Sequence, residues 1–309
     1  MRTLQDNAEH SRYTDPGRCS ALLDQLPHDI GELTAVVRNV IQHYWGTNGG
    51  LPDPSRLAEV DHRWLDRLLA TDQQRFGTPL TTERPGAERV AGCCRDFTLL
   101  TVAALRHRGV PARSRIGFAS YLEPGHHSDH VVVEHWNGER WVLLDSEFAP
   151  GPEWSFDITD LPPLSTADDP DQAVFSSAAQ VWTAYRAGAI DVEKYGVSPV
   201  HAPELPLRGA WFVRNYVLLE LAHRQGDELL LWDTWGAMSL ELDGDLGLVD
   251  DIAALLTAAD AGSESAEMEL SERYLTDPRL HPGATVFSYS PTGVPATVDL
   301  STRQTAHSC

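Results

Sequence analysis

Three residues of this 309-residue chain could together carry nucleophilic chemistry: Cys94, His130 and Asp145. A thiol attacks as its thiolate, so it needs a base, and an imidazole base needs a carboxylate to fix its tautomer. Cys94 opens an apolar run to Arg108, in which Phe97, Leu99, Leu100, Val102 and Leu105 predict a buried helix. Arg106, His107 and Arg108 suit the C-terminal end of its dipole, and Gly109 and Pro111 stop it. Unpaired N–H groups at the start of that helix favour a thiolate, which predicts a lowered Cys94 pKa. His130 and Asp145 bracket the hairpin DHVVVEHWNGERWVLLD, whose turn is Asn137-Gly138. Each lies about seven residues from the turn, so strand pairing brings them side by side.

The elements that must position these residues follow an α+β order, a buried helix before an antiparallel sheet. Residues 1–28 read as an irregular lead-in. A helix is predicted over Asp29–Trp45, with an Asp29/Glu32 capping pattern and Gly46 as its stop. A second is predicted over Ser55–Ala70, and residues 75–92 read as a loop rich in Gly, Pro and Thr. Strands are predicted at Ala112–Tyr121, His130–Trp136 and Trp141–Leu144. Helical patterns at 171–187, 210–224, 249–260 and 265–274 predict a mainly helical C-terminal lobe. The expected division is a core over 29–160 and that lobe over 161–309.

Here the sequence resembles the transglutaminase-like superfamily of papain-like folds. The matching pieces are GCCRDFTLL with the following LRHRGVPAR, then DHVVVEHW, then RWVLLD. The order is Cys, His, Asp, with separations of 36 and 15 residues. The resemblance spans about residues 85–148. It places the family's nucleophile on Cys94, its general base on His130 and its orienting acid on Asp145. It implies a papain-like core and covers crosslinkers, amide hydrolases and amide-forming biosynthetic enzymes. The stretch LRGAWFVRNYVLLELAHRQGDELLLWDTWG is similar to the C-terminal part of bacterial proteins of unassigned substrate with this domain. One departure is visible: no Gln or Trp immediately precedes the cysteines to complete an oxyanion hole. The Cys94 N–H supplies one donor, while Gln42, Trp45 and Gln73 are the remaining candidates for the second.

Each nominated residue has a plainer alternative. Cys93 is the rival thiol, but successive helical positions point about 100° apart, and the match of Cys-Arg-Asp-Phe favours Cys94, leaving Cys93 to packing. Glu134 shares a strand face with His130 and could touch the site or sit at an exposed edge. Trp141 precedes Asp145 by an even count and could shield the His–Asp pair or pack in the core. Arg95 and Asp96 read as a surface cation and a dipole partner. The cluster HHSDH (His126, His127, Asp129, His130) invites a metal reading, yet adjacent ligands chelate poorly and no distant ligand group is evident, so a polar loop is expected. Arg214, Asn215, Trp232, Asp233 and Trp235 could line a cleft or form core contacts.

Composition narrows the partners. Against 45 acidic residues stand 24 Lys and Arg, a formal charge of −21. Such a surface repels phosphate backbones and anionic lipid, so neither nucleic acid nor membrane is expected. The first twenty residues lack the apolar core of a signal peptide, and no apolar run is long enough to span a bilayer. The four cysteines form neither a disulfide framework nor a CxxC zinc site, which suits a reducing, cytoplasmic setting. The expected activity is cysteine-dependent acyl transfer through a thioester on a small-molecule or peptide substrate, with an amine or water as acceptor and without cofactor or metal. Two other classes compete: an inactive binding module that keeps the fold, and a zinc hydrolase built on HHSDH.

Overall fold

The computed structural model describes residues 3–45, 53–164, 169–200, 206–242 and 244–307. Two short helices lead in, α1 (Leu4–Ala8) and α2 (Ser20–Leu23). Thr3 caps α1 by accepting the Asp6 N–H, and Tyr13 is fully buried. The expected irregular lead-in is therefore ordered, because Tyr13, Leu23 and Leu26 reach the main core.

Helix α3 (Ile30–Val40) begins at Asp29, whose carboxylate accepts the Glu32 N–H at 2.9 Å. It ends short of Trp45 because the chain turns extended at Ile41. There β1 (Ile41–His43) pairs in parallel with β2 (Val90–Gly92). Gly46, the expected stop, lies outside the described residues. The helix expected over Ser55–Ala70 is two pieces, a 3₁₀ run at Pro54–Asp61 and α4 (Leu65–Arg75). Between them Arg63 turns inward to a buried ion pair with Asp233 at 2.7 Å.

Every residue of α5 (Cys94–Arg106) is buried, as its apolar run predicts. Gly92 must lack a side chain, since a Cβ there would lie 2.8 Å from Asp96 Oδ2. That carboxylate accepts the Cys93 N–H at 2.9 Å and so fixes the backbone at the two cysteines. Arg95 is not the expected surface cation. It is buried and donates to the carbonyls of His62 (3.2 Å), Arg63 (2.6 Å) and Glu228.

The main sheet has the order β5-β4-β3-β6, built from β3 (Ala112–Glu123), β4 (His126–Trp136), β5 (Trp141–Leu144) and β6 (Phe175–Ser177). A short β7 (Tyr195–Gly196) adds to β4 in parallel. The β4–β5 turn is the predicted one, with Asn137 Oδ1 accepting the N–H groups of Glu139 and Arg140, both at 2.9 Å. Strand β4 starts earlier than expected, so HHSDH lies in a strand rather than a loop. Gly117 pairs with His130, and a Cβ on it would stand 2.0 Å from the Ser176 carbonyl oxygen of β6. Thr98 Oγ1 donates to the Val131 carbonyl at 2.9 Å, joining the second turn of α5 to β4 beside His130.

The second half holds α6 (Ala178–Arg186), α7 (Ala210–Arg224), α8 (Leu246–Asp260) and α9 (Glu264–Thr276), close to the helical patterns. It also holds an antiparallel sheet ordered β11-β10-β9-β8, made of β8 (Asp233–Thr234), β9 (Thr285–Ser288), β10 (Ala296–Asp299) and β11 (Gln304–His307). Strands this short carry too little alternation to read, so the mainly helical expectation misses them. The boundary expected at 160/161 also cuts through the architecture. Strand β6 completes the main sheet from beyond it, and one apolar cluster runs from Tyr13 through Leu100 and Val131 to Val217, Leu256 and Leu300. No described helix is long and apolar enough to cross a membrane.

Candidate active site

His130 leaves β4 beside its partner Gly117, and Asp145 follows directly on β5. Their side chains meet as the hairpin predicts: His130 Nε2 and Asp145 Oδ2 are 2.7 Å apart, both residues buried. Asp145 is satisfied further by the Tyr121 hydroxyl, which donates to Oδ2 at 2.6 Å, and by the Glu147 N–H, which donates to Oδ1 at 2.8 Å. Cys94 is the first residue of α5 and is buried, with its N–H among the donors the helix leaves unpaired. It lies within electrostatic reach of the Tyr121, Tyr44 and Tyr216 hydroxyls. The Glu147 and Asp129 carboxylates act on both Cys94 and His130.

Burial alone would lower the His130 pKa, but the Asp145 carboxylate and its hydrogen bond outweigh this and raise it. Burial opposes ionisation of Asp145, yet His130, Tyr121 and the Glu147 N–H bring its pKa below the usual carboxylate range. Cys94 contradicts the expectation of a lowered pKa. Its hydrogen bond with the Cys93 thiol, then burial, push it well above the ordinary range, and Glu147 and Asp129 add to the rise. The hydrogen bond with Cys93 and burial together outweigh the helix N-terminus here.

Glu134, nominated by its face, is not at an exposed edge. It is buried between Arg113 and Arg115, the former at 2.5 Å and the latter at 3.1 Å. Trp141 does not shield the pair: Arg113 stacks on it at 4.4 Å and Trp136 meets it edge-on. The aromatic surround of His130 comes from Tyr121 and Phe148, with ring centroids 6.1 and 6.2 Å away. Gln73 is committed to Asp72 and to the Thr78 carbonyl, and Gln42 donates to the His43 carbonyl at 3.5 Å.

The remaining members of HHSDH have separate partners. His126 meets the Gly196 carbonyl at 3.0 Å, His127 stacks on Tyr195 at 4.3 Å, and Asp129 accepts the Tyr216 hydroxyl at 2.5 Å. Arg214 and Asn215 bind the carbonyls of Ala237 and Ser239, while Trp232 and Trp235 donate to Asp61 and to the Leu280 carbonyl. These are internal ties.

Sequence reasoning missed Tyr121, Arg38, Glu147, Phe148 and Tyr216. Arg38 of α3 donates to the carbonyls of Ser146 (3.2 Å) and Phe148 (3.1 Å), clasping the loop after Asp145. Its partner lies 108 residues away along the chain, so no local pattern could mark it. Tyr216 ties α7 of the second half to β4 through Asp129, again over a separation that only the fold closes.

No curated protein matches this chain. Among solved structures it is similar to a crystal structure from Cytophaga hutchinsonii, a protein named only as a candidate cysteine protease, at 20% identity and a TM-score of 0.30. The match covers 55% of this chain and 49% of that one, so this chain spans about half of that protein's length, and the likeness is too low to bear on activity. The segment that carries α5, the His130 hairpin and Asp145 is recognised by its sequence: residues 72–146 match the family model of the transglutaminase-like superfamily.

Proposed function

We propose that this protein is a cysteine-dependent acyl-transfer enzyme acting on an amide or related acyl substrate. The observation that carries this reading is the buried His130–Asp145 pair at 2.7 Å on the sheet that Thr98 ties to α5, the helix that Cys94 opens. With Nε2 engaged by Asp145, Nδ1 of His130 is the nitrogen left for the thiol. Because the hydrogen bond with Cys93 and then burial disfavour the Cys94 thiolate, the thiol proton passes to His130 as the sulfur attacks the acyl carbonyl. The Cys94 N–H donates to the developing oxyanion. His130 then protonates the leaving amine, and a thioester remains on Cys94. Asp145 stabilises the imidazolium that forms in between. Water or an amine attacks the thioester, with His130 again as base, and restores the thiol. Cys93 packs and donates no chemistry.

Incubation with a panel of amide and ester donors, followed by intact-mass analysis, tests the reading. The expected result is an acyl adduct on Cys94 that disappears in Cys94→Ala. No adduct with any donor would overturn it and leave a binding module that keeps the fold.

A further inference from the structure

We propose that Arg38 is a positioning residue of this site: through the backbone of the loop after Asp145 it fixes that carboxylate, and with it His130, relative to the segment that carries Cys94. The role rests on the acyl-enzyme reading above and adds to it the element that sets the spacing of its parts.

The two sides of the candidate site come from different parts of the fold. Cys94 follows β2 and opens α5, whereas His130 and Asp145 belong to the β4–β5 hairpin. The continuous piece α3–β1 holds both. On the thiol side, β1 pairs with β2 as far as His43 against Gly92, and the Tyr44 N–H donates to the Gly92 carbonyl at 2.9 Å, two residues before Cys94. Asn39, near the end of α3, holds the run into β2. Its amide donates to the carbonyls of Leu80 (3.1 Å) and Thr82 (2.7 Å), and its Oδ1 accepts the Arg84 N–H at 2.9 Å. The preceding residue, Arg38, reaches the other side. One of its guanidinium nitrogens donates to the carbonyls of Ser146 at 3.2 Å and Phe148 at 3.1 Å. Successive helical side chains point about 100° apart, so these two neighbours hold two different segments.

The hold on the loop passes to the reacting pair by a short path. Glu147 lies between the two carbonyls that Arg38 takes, and its N–H donates to Asp145 Oδ1 at 2.8 Å. The other oxygen of that carboxylate meets His130 Nε2 at 2.7 Å. The ladder of the sheet does not reach this loop: the Asp145 N–H goes to the Ile158 carbonyl at 3.0 Å, just past the end of β5. Beyond it, among the described residues, the backbone of 146–148 takes no hydrogen bond from outside the loop except those of Arg38. A charged donor on each carbonyl makes a stronger bond than a neutral one, and a reacting group has to be held to within about 0.5 Å. Thr98 ties the second turn of α5 to β4, and Arg38 adds the tie at the acid.

The test replaces Arg38 by Met, which keeps an apolar stem and removes both donors, and by Lys, which keeps a cationic nitrogen on a long stem. The first readout is the NMR titration of the His130 imidazole, which needs no substrate. The second is the burst of 4-nitrophenol from 4-nitrophenyl acetate as Cys94 is acylated, corrected for the folded fraction by circular dichroism. In Arg38→Met the His130 pKa should fall, because Asp145 is what raises it. The burst rate constant should fall by between about 10- and 10²-fold, the scale on which an ångström of misplacement costs rate. The half-saturating ester concentration should not move, since Arg38 touches only backbone carbonyls of the loop. Arg38→Lys should recover most of both readouts. A folded Arg38→Met that keeps either native value, an Arg38→Met that fails to fold, or an Arg38→Lys no better than Arg38→Met would each overturn the role. Should the native enzyme give no burst that Cys94→Ala removes, the acyl-enzyme reading falls, and the His130 titration by itself still decides whether Arg38 holds the pair.

Discussion

A single carboxylate oxygen joins Tyr121 to His130: Asp145 Oδ2 accepts the tyrosine hydroxyl at 2.6 Å and meets the imidazole Nε2 at 2.7 Å. Tyr121 comes from the far end of β3, so Asp145 is braced by a strand outside its own hairpin. Sharing one oxygen tempers the basicity that Asp145 offers to His130.

Tyr121→Phe removes the brace and leaves the ring in place. Stability should fall by about 1.5–3 kcal/mol, the range for a hydrogen bond to a charged group. The Asp145 carboxylate becomes more basic, so the His130 pKa should rise further. Imidazole NMR titration and denaturant unfolding check the two effects, and an unchanged His130 titration would remove Tyr121 from the network.

Cys94→Ala should abolish turnover without disturbing the fold, while Cys93→Ala should keep most activity. His130→Ala should cost about 10²–10⁴ in acylation rate. Asp145→Asn should cost less, because the imidazole remains. Steady-state rates beside circular dichroism spectra read this out. A dead Cys93 variant would move the nucleophile by one residue.

The thiol should titrate at or above the roughly 8.5 of a free cysteine. The hydrogen bond with Cys93 is the first cause of that elevation, so Cys93→Ala should shift Cys94 alkylation to lower pH. Peptide-resolved alkylation rates across pH measure it. A Cys94 profile centred well below 8.5 in the native protein would mean that the helix N-terminus wins over burial.

Two groups set the acid side of stability in opposite senses. His130 is raised by Asp145 against the pull of burial, so its contribution is full below about 6.5 and fades as pH climbs through its folded pKa. His223 is the reverse. Fully buried between the Ser114 hydroxyl (2.7 Å) and the Leu229 carbonyl (3.1 Å), it is lowered to about 4, chiefly by desolvation. The unfolded chain protonates first, so its stabilisation is present above about 6.5 and is lost as pH falls toward 4. The loss is on the order of 3 kcal/mol at about 1.4 kcal/mol per unit. Urea unfolding between pH 7 and 4 should show a shallower decline in His223→Gln than in the native protein; identical slopes would exclude His223 as the source.

The sequence by itself determined α5 and the hairpin that carry the candidate site, because everything needed there is local. The apolar run after Cys94 demands burial on all sides, and α5 is buried throughout. Asn137-Gly138 sets a hairpin register that leaves His130 and Asp145 adjacent, and they meet at 2.7 Å. Tertiary structure decided the rest, since it depends on charges and contacts brought from distant parts of the chain. Glu134 has the strand face of His130 but is claimed by Arg113 and Arg115. Arg95 has the sequence position of a surface cation but is drawn inside by three carbonyls. Cys94 has the helix position of a thiolate, yet the hydrogen bond with Cys93 and then burial raise its pKa, a balance no spacing of residues records.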